Sequence, residues 1–428
     1  MDTSYDAIVV GARCAGAPTA MLLARQGHRV LLVDRATFPS DTLSTHVIHA
    51  PGVAALTRWD LLDQVVATGC PPIQTYAYDF GPFAIRGVAR PVDGQCSGYA
   101  PRRTVLDKIL VDAATASGVE VREGFNVDSL LIEGGTVAGI SGHTEDGEPV
   151  EAKAQIVVGA DGKNSHVAKA VQAAEYETRP RLQYSYYSYF QDLPTDGMEV
   201  YIRPDRGFAA APTNDGMTMV VAGWPYAEAV SYKADIEANY LKTFELAPEF
   251  AERVRAATRM APFLGGAVRG FFRTPFGPGW ALVGDAGYNK DPITAQGISD
   301  AFRDAQQCSM AIDAWLNGGS TYEAAMTSWH RARDNDAMPS YEFTNQLAAL
   351  DRRLLRCNSS WDRCTATRRR WMGSSASSRE PCPRWSSSRP TISAASCRPL
   401  PSRPSWVSWP RRVTSSTKCL NRPLLSTG

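Results

Sequence analysis

A helix needs roughly 18 to 20 consecutive apolar residues to span a bilayer, and no such run occurs in these 428 residues. The opening text, MDTSYD, leads straight into an apolar stretch without the basic and apolar regions of a secretory leader, so a cytoplasmic location and no membrane association are expected. The nine cysteines include no zinc-type pair, and reduced thiols without a bound metal are expected. No Ser or Cys stands near a base and an orienting group at a recognisable spacing, which argues against nucleophilic catalysis. Net charge is also nearly absent, at +1, and no nucleic-acid partner is expected.

What is present is enough apolar content, 44%, to build a large core as two interleaved domains or one elaborated one. The small net charge hides a split. Residues 351–428 hold 16 of the 45 Lys+Arg but 3 of the 44 Asp+Glu, which leaves +13 on this tail and −12 on the rest. The tail carries five of the nine cysteines and five of the ten tryptophans, in Ser-, Arg- and Pro-rich text such as CNSSWDRCTATRRRWMGSSASSREPCPRWSSSRP that has no apolar period. Disordered segments usually avoid Cys and Trp. Three readings stay open: a disordered tail, a basic nucleic-acid-binding tail, or text read in a shifted frame from GC-rich coding sequence. No function is assigned to it.

The body of the chain opens on a nucleotide-binding pattern, DAIVVGARCAGAPTAMLLARQGHRVLLVDR, residues 6–35. An apolar run ends at Gly11, apolar residues then recur at helical spacing from Ala15 to Gln26, and a second apolar strand closes at Asp34. Gly11 permits a tight exit from the strand, Gly16 lets the helix lie close to it, and Asp34 stands where a carboxylate accepts from a ribose hydroxyl. Arg13 occupies the place of the middle glycine. Its guanidinium can reach a phosphate, and the helix N-terminus favours an anion in any case.

Two further turns of the same kind follow. In AQIVVGADGKNSHVAKAV an apolar strand runs into Gly159, Asp161 and Gly162 and then a helix start. In GWALVGDAGYNKDPITAQGISDAFRDAQQCSMAI a strand ends at Gly284 and Asp285, and Pro292 and Gly297 introduce an amphipathic helix to about Trp315. A carboxylate at a strand's C-terminal end, beside a loop feeding a helix N-terminus, suits a ligand with both sugar hydroxyls and phosphates.

Together, over roughly residues 5–345, the three motifs resemble the FAD-dependent monooxygenases of the para-hydroxybenzoate hydroxylase type, a broader group that includes geranylgeranyl-reductase-like flavoproteins. The resemblance implies an α/β fold: a Rossmann-like FAD-binding domain interleaved with a smaller β-sheet substrate domain, followed by a disordered C-terminal tail. The expected boundaries are 1–75, 101–175 and 276–350 for the FAD-binding parts, 76–100 and 176–275 for the substrate parts, and 351–428 for the tail. It implies cofactor contacts from Gly11, Arg13, Ala15, Gly16, Asp34 and Arg35, from Asp161 and Gly162, and from Asp285, Pro292 and Gly297. PRRTVLDKIL matches the family's Arg-x-x-Leu helix and makes Arg103 a flavin contact. Departures are Arg13 for glycine, Ala168 for the arginine that usually closes the second motif, and Asp291 where many relatives carry a second proline.

The resemblance further implies that NAD(P)H reduces the bound FAD transiently and that O2 adds at the flavin C4a position. The resulting hydroperoxide then hydroxylates an electron-rich aromatic or polyketide-like molecule. Such chemistry asks mainly for a dry pocket. Thr45 and His46, in the stretch after the second strand, are the candidates for the flavin edge. Strand-like text at RLQYSYYSYF, GMEVYIR, GFAAAP, MTMVVAGW and GAVRGFF, interrupted by a helix-like stretch from Tyr232 to Ala257, reads as a sheet covering the flavin. Tyr184 and Tyr186 share one face of their strand and Tyr187 and Tyr189 the other; the first pair is the candidate pocket lining. Two alternatives remain: a double-bond reductase of the geranylgeranyl type, and an inactive flavoprotein-like scaffold. The Trp-x-Trp-x-Ile-Pro element associated with halogenases is absent, AGWPYAE being nearest.

Overall fold

The computed structural model describes residues 4–350, and expectations for 351–428 lie outside the described residues. The strand Ser4–Val10 sits inside an eight-stranded sheet. On one side it pairs in parallel with Val30–Val33, and that strand with Glu120–Arg122. On the other it pairs in parallel with Pro149–Gly159, and that strand with Trp280–Leu282. The chain thus leaves Ser4–Val10 first to one side and later to the other, and the crevice beyond the strand ends at such a reversal is where open α/β sheets bind ligands.

Alternation sorts the two faces. Ala7 and Val9 pack with the helices Gly16–Arg25, Arg103–Ala116 and Gly297–Leu316. Ile8 and Val10 pack with the hairpin of Asn126–Glu133 and Thr136–His143, which joins the sheet antiparallel to Pro149–Gly159. Every residue of Val30–Val33 is buried, as expected of a parallel strand covered on both faces.

A second sheet runs in the order Thr258–Arg259, Gln183–Gln191, Thr218–Pro225, Arg206–Pro212, Met198–Arg203, Tyr76–Asp79, Ala84–Gly87, with Leu264–Gly266 also beside Gln183–Gln191. The strand Tyr76–Asp79 enters it in parallel beside Met198–Arg203. GAVRGFF does not join this sheet. Arg269–Arg273 pairs instead with Glu175–Arg181 and Tyr288–Asn289 in a separate three-stranded sheet.

The helix-like stretch from Tyr232 is three short helices, Ala229–Ala234, Ile236–Phe244 and Pro248–Ala256. Asp235 breaks the first from the second by adopting φ −150°, ψ 90° and accepting from the Ala238 N–H as an N-cap. Pro248 starts the third and forces Ala247 out of helical geometry. Tyr232, Tyr240, Phe244 and Phe250 from these helices bury against Tyr186, Phe208, Val220 and Trp224 on one face of the second sheet. The other face is left to the cavity described next.

Candidate functional site

A cavity of about 710 Å³ opens at the C-terminal ends of Ser4–Val10 and Pro149–Gly159 and reaches one face of the second sheet. Its walls include Gly11, Arg13, Ala15, Asp34, Arg35, Thr45, Arg103, Asp161, Gly162, Asp285, Pro292 and Gly297, so most of the residues expected from sequence converge on one space.

The turn that begins it is set by sterics. Gly11 has φ +102°, and a Cβ there would lie 2.6 Å from the Ala160 carbonyl oxygen; a Cβ on Gly16 would lie 1.7 Å from the Gly11 carbonyl oxygen. Gly16 does not itself line the cavity. It lets the helix Gly16–Arg25 start hard against the turn, with no side chain capping its first N–H groups. Asp34 is held rigidly: one carboxylate oxygen accepts from Ala12 N–H at 2.7 Å and the other from Ala36 N–H at 2.8 Å.

Arg13 is not poised for a phosphate as the sequence suggested. Its guanidinium donates to the Asp107 carboxylate at 2.5 Å and to the Ser40 hydroxyl at 2.8 Å, and it lies over the Phe38 ring. Arg103 is buried, not solvated, and grips the same Asp107 through Nε and Nη2, each at 3.0 Å. Asp107, fully buried, was missed from sequence, although its position four residues after Arg103 on a helix is the spacing of an ion pair. Two cavity-lining arginines therefore share one carboxylate.

Asp161 caps the short helix His166–Ala170, accepting from His166 N–H at 2.5 Å and Val167 N–H at 3.1 Å, and Gly162 supplies the left-handed turn residue at φ +79°. Gly284, at φ +58°, leaves room for Ala15 and donates its N–H to Asp304 at 2.8 Å. Asp285 is exposed to the cavity, and the desolvation imposed by the protein around it pushes its carboxyl above the usual range against the pull of Lys163 and Arg103. Beyond it, Lys290 is buried in the cavity wall with its Nζ 2.6 Å from Asp300 and 2.6 Å from the Ser340 hydroxyl. Burial would raise the Asp300 carboxyl, but Lys290 and Arg303 hold it below its ordinary value. The helix Gly297–Leu316 starts beside this pair without a side-chain cap, so its first-turn N–H groups remain available to a ligand.

Three candidates, His46, Tyr184 and Tyr186, are placed otherwise than expected. His46 does not line the cavity; it is fully buried behind it, at φ +62°, while its neighbour Thr45 does face inward. The His46 Nδ1–H donates to the Ser44 carbonyl at 2.9 Å, and Nε2 accepts from the Tyr189 hydroxyl at 2.6 Å, which needs a neutral ring. Burial, then the Arg103 charge, lower its pKa to about 4. His46 is thus held by two hydrogen bonds behind the cavity wall and not at its surface. Tyr184 and Tyr186 point to the opposite face of the sheet, where they pack on Trp224 with ring centroids 6.3 and 5.7 Å away. Tyr187, with Gln183 and Ser185 on the same face, lines the cavity in their stead. The helices that cover Tyr186 decide which face is inside.

The residues fit a flavin dinucleotide. Two uncapped helix starts meet the cavity region, glycines let the first turn close tightly between strand and helix, and carboxylates from two separate strand ends, Asp34 and Asp285, stand in one wall. Fold and site define a dinucleotide-dependent oxidoreductase with an open α/β nucleotide sheet and a mainly antiparallel cover sheet.

The chain belongs to the FAD binding domain family, whose model matches residues 4–342. Its cofactor is therefore FAD, and it is an FAD-binding oxidoreductase. It is 26% identical over 352 residues to the digeranylgeranylglycerophospholipid reductase of Methanocella arvoryzae, covering 77% of this chain and 82% of the relative. It is 26% identical over 348 residues to the rifampicin monooxygenase of Streptomyces venezuelae, covering 75% and 67%. Among solved structures, the fold is similar to the myxobacterial chondrochloren halogenase CndH, with TM-score 0.75, 24% identity and coverage of 85% and 90%. It is also similar to Pseudomonas aeruginosa PqsL bound to 2-aminobenzoylacetate, with TM-score 0.72, 21% identity and coverage of 82% and 98%.

Proposed function

We propose that the chain is a monooxygenase that uses NAD(P)H and O2 to hydroxylate an aromatic or polyketide-like small molecule. A ring C–H becomes C–OH, the second oxygen atom leaves as water, and NAD(P)H supplies the two electrons. Bound FAD supplies the redox centre for this exchange. The observation that carries the reading is the continuity of one cavity from the nucleotide turn to an uncharged sheet face built from Met198, Val200, Ile202, Ala209, Ala211 and Val221.

The chain's own residues bind, orient and exclude water. The uncapped start of the helix at Gly16 offers backbone N–H groups to the pyrophosphate, the Gly11 N–H being held by the Val33 carbonyl, and Asp34 offers carboxylate lone pairs to the ribose. Arg103 and Asp285, with Pro292 and Gly297, line the part of the cavity nearer the ring system. Arg13 holds the loop that carries Thr42, Leu43, Ser44 and Thr45 against the turn through its bonds to Ser40. The aliphatic face keeps water from the reacting atoms.

Purified protein that is yellow, and that oxidises NAD(P)H with stoichiometric O2 uptake and a hydroxylated product when given a phenolic substrate, supports this function. Prenyl-chain reduction is the second reading, favoured by the same aliphatic wall and by the likeness to the archaeal reductase. It consumes no oxygen, so turnover under argon with a polyprenyl substrate would replace hydroxylation by reduction. A cytoplasmic site of action is proposed with it; no helix among the described residues is long and apolar enough to cross a membrane.

A further inference from the structure

Strand pairing turns the cavity face of the second sheet into a grid. One rung reads Tyr187, Val221, Ala209, Val200, and the next reads Ser185, Gly223, Gly207, Ile202. All eight residues line the cavity. Two glycines side by side in the middle of a rung remove two side chains from the wall and leave a slot between Ser185 and Ile202. Neither glycine has a positive φ, so backbone conformation does not explain them. The missing Cβ atoms mark out what borders the slot. At Gly223 a Cβ would lie 2.9 Å from Gln183 Oε1 and 3.4 Å from Ser185 Oγ. At Gly207 it would meet only Leu350 Cδ2 at 3.7 Å and Ile293 Cδ1 at 3.8 Å.

The slot therefore has one polar end and one aliphatic end, and the polar end has a defined sense. Gln183 is 3% exposed, and its Nε2 donates to the Ala348 carbonyl at 3.0 Å, which leaves Oε1 as the atom presented to the slot. Gln183 Oε1 and the Ser185 hydroxyl border the slot side by side, and the bond made by Nε2 fixes the sense of the carboxamide. A carbonyl oxygen fixed in orientation at the wall of a cavity selects a ligand that brings it a donor. A carboxylate brings only acceptors to that oxygen, and Lys290, a cation in the same wall, is already paired with Asp300.

We propose that the Gly207–Gly223 slot is a substrate subsite for a neutral flat ring bearing a hydroxyl or N–H group, with Gln183 Oε1 accepting its hydrogen bond. The assignment rests on the reading above in taking the sheet side of the cavity as the substrate side. It separates ring substrates from prenyl chains, which have no donor to offer.

The test uses the full chain loaded with FAD and three probes: 2-naphthol, 2-methoxynaphthalene and 2-naphthoate, titrated against the visible flavin spectrum. Expected is binding of 2-naphthol about tenfold or more tighter than either other probe, the scale of one hydrogen bond to a buried group. In Gln183→Leu the naphthol and its methyl ether bind alike. In Gly207→Val, where a Cβ meets only ordinary contacts, all three weaken while the protein keeps its bound FAD. Equal affinity for the naphthol and its ether in the unaltered chain, an unchanged preference in Gln183→Leu, or no binding of any probe overturns the subsite. Failure of the hydroxylase reading looks different: 2-naphthol binds with the stated preferences, but NAD(P)H oxidation yields no hydroxylated product.

Discussion

Removing Asp107 tests how the two cavity-lining arginines are held. In Asp107→Ala, Arg103 stays buried at 7% exposure with both of its carboxylate bonds gone, and Arg13 loses its shortest contact. Leaving one partner of a buried pair uncompensated costs about 3–5 kcal/mol. Arg13→Gly is milder, because Arg103 and Asp107 still satisfy each other and the Arg13 side chain is a quarter exposed; about 1–2 kcal/mol is expected. At roughly 2–4 °C per kcal/mol for a domain of this size class, Asp107→Ala lowers the thermal midpoint by about 6–20 °C and Arg13→Gly by about 2–8 °C. The decisive variant is the double change Asp107→Ala with Arg103→Met. It removes the stranded charge and so recovers part of the lost stability, although it deletes one more native side chain. Thermal melts followed by tryptophan fluorescence, with and without added FAD, give all three values. A double variant less stable than Asp107→Ala alone would show that Arg103 is not a stranded charge, and the account of the site electrostatics would fail.

Four other outcomes follow from the same geometry. Gly16→Ala places a Cβ 1.7 Å from the Gly11 carbonyl oxygen and is expected to give colourless protein, read from the ratio of absorbance at 450 and 280 nm; yellow protein at normal yield contradicts the turn geometry. Asp34→Ala strands the Ala12 and Ala36 N–H groups and removes the ribose acceptor, so FAD affinity measured by flavin fluorescence should fall at least tenfold, the scale of one charge-assisted hydrogen bond. Tyr187→Phe should change the KM of a productive substrate, whereas Tyr184→Phe, on the far face, should leave it unchanged. Because the unfolded state takes up the His46 proton near pH 6.5 and the folded state only near pH 4, stability is full above pH 6.5 and falls as pH drops through that window, by at most about 3 kcal/mol. Urea melts of the native chain against His46→Asn at pH 7.5 and 5 isolate this contribution from His49, which shifts the same way, and from Asp291, raised to about 6, which opposes it.

The nucleotide side of the site was legible because its chemistry is local. Gly11, Asp34, Asp161 and Asp285 each stand where a strand ends and a turn begins, and Gly16 where the turn enters its helix; that punctuation is written in a few consecutive residues. The partner of Arg13 was not legible, since Asp107 lies 94 residues away and only the packing of two helices brings them together. The tyrosine row shows a different limit. Period two divides Gln183–Gln191 into two faces, but nothing in the strand itself says which is covered. Tyr232, Tyr240 and Phe250, from helices more than 40 residues on, take the Tyr186 face and leave Gln183, Ser185 and Tyr187 to the cavity. The breaks at Asp235 and Pro248 were in the text, as an N-cap residue and a proline, but were overridden by the apolar period running through them.

These limits bear on why Arg13 is compatible with a dinucleotide turn. The turn tolerates no Cβ at Gly11 or Gly16, where the Ala160 and Gly11 carbonyls stand in the way. At the middle position the side chain leaves the turn sideways, toward Ser40 and the Asp107 already required by Arg103. An arginine there ties the turn to the loop that carries Thr42 to Thr45 along the cavity wall, two pieces of chain that a glycine would leave uncoupled. Asp107 is the piece that makes this possible: without a second cation it would only neutralise Arg103, and with Arg13 it links the cofactor turn, the Arg103 helix and the cavity loop through one buried carboxylate.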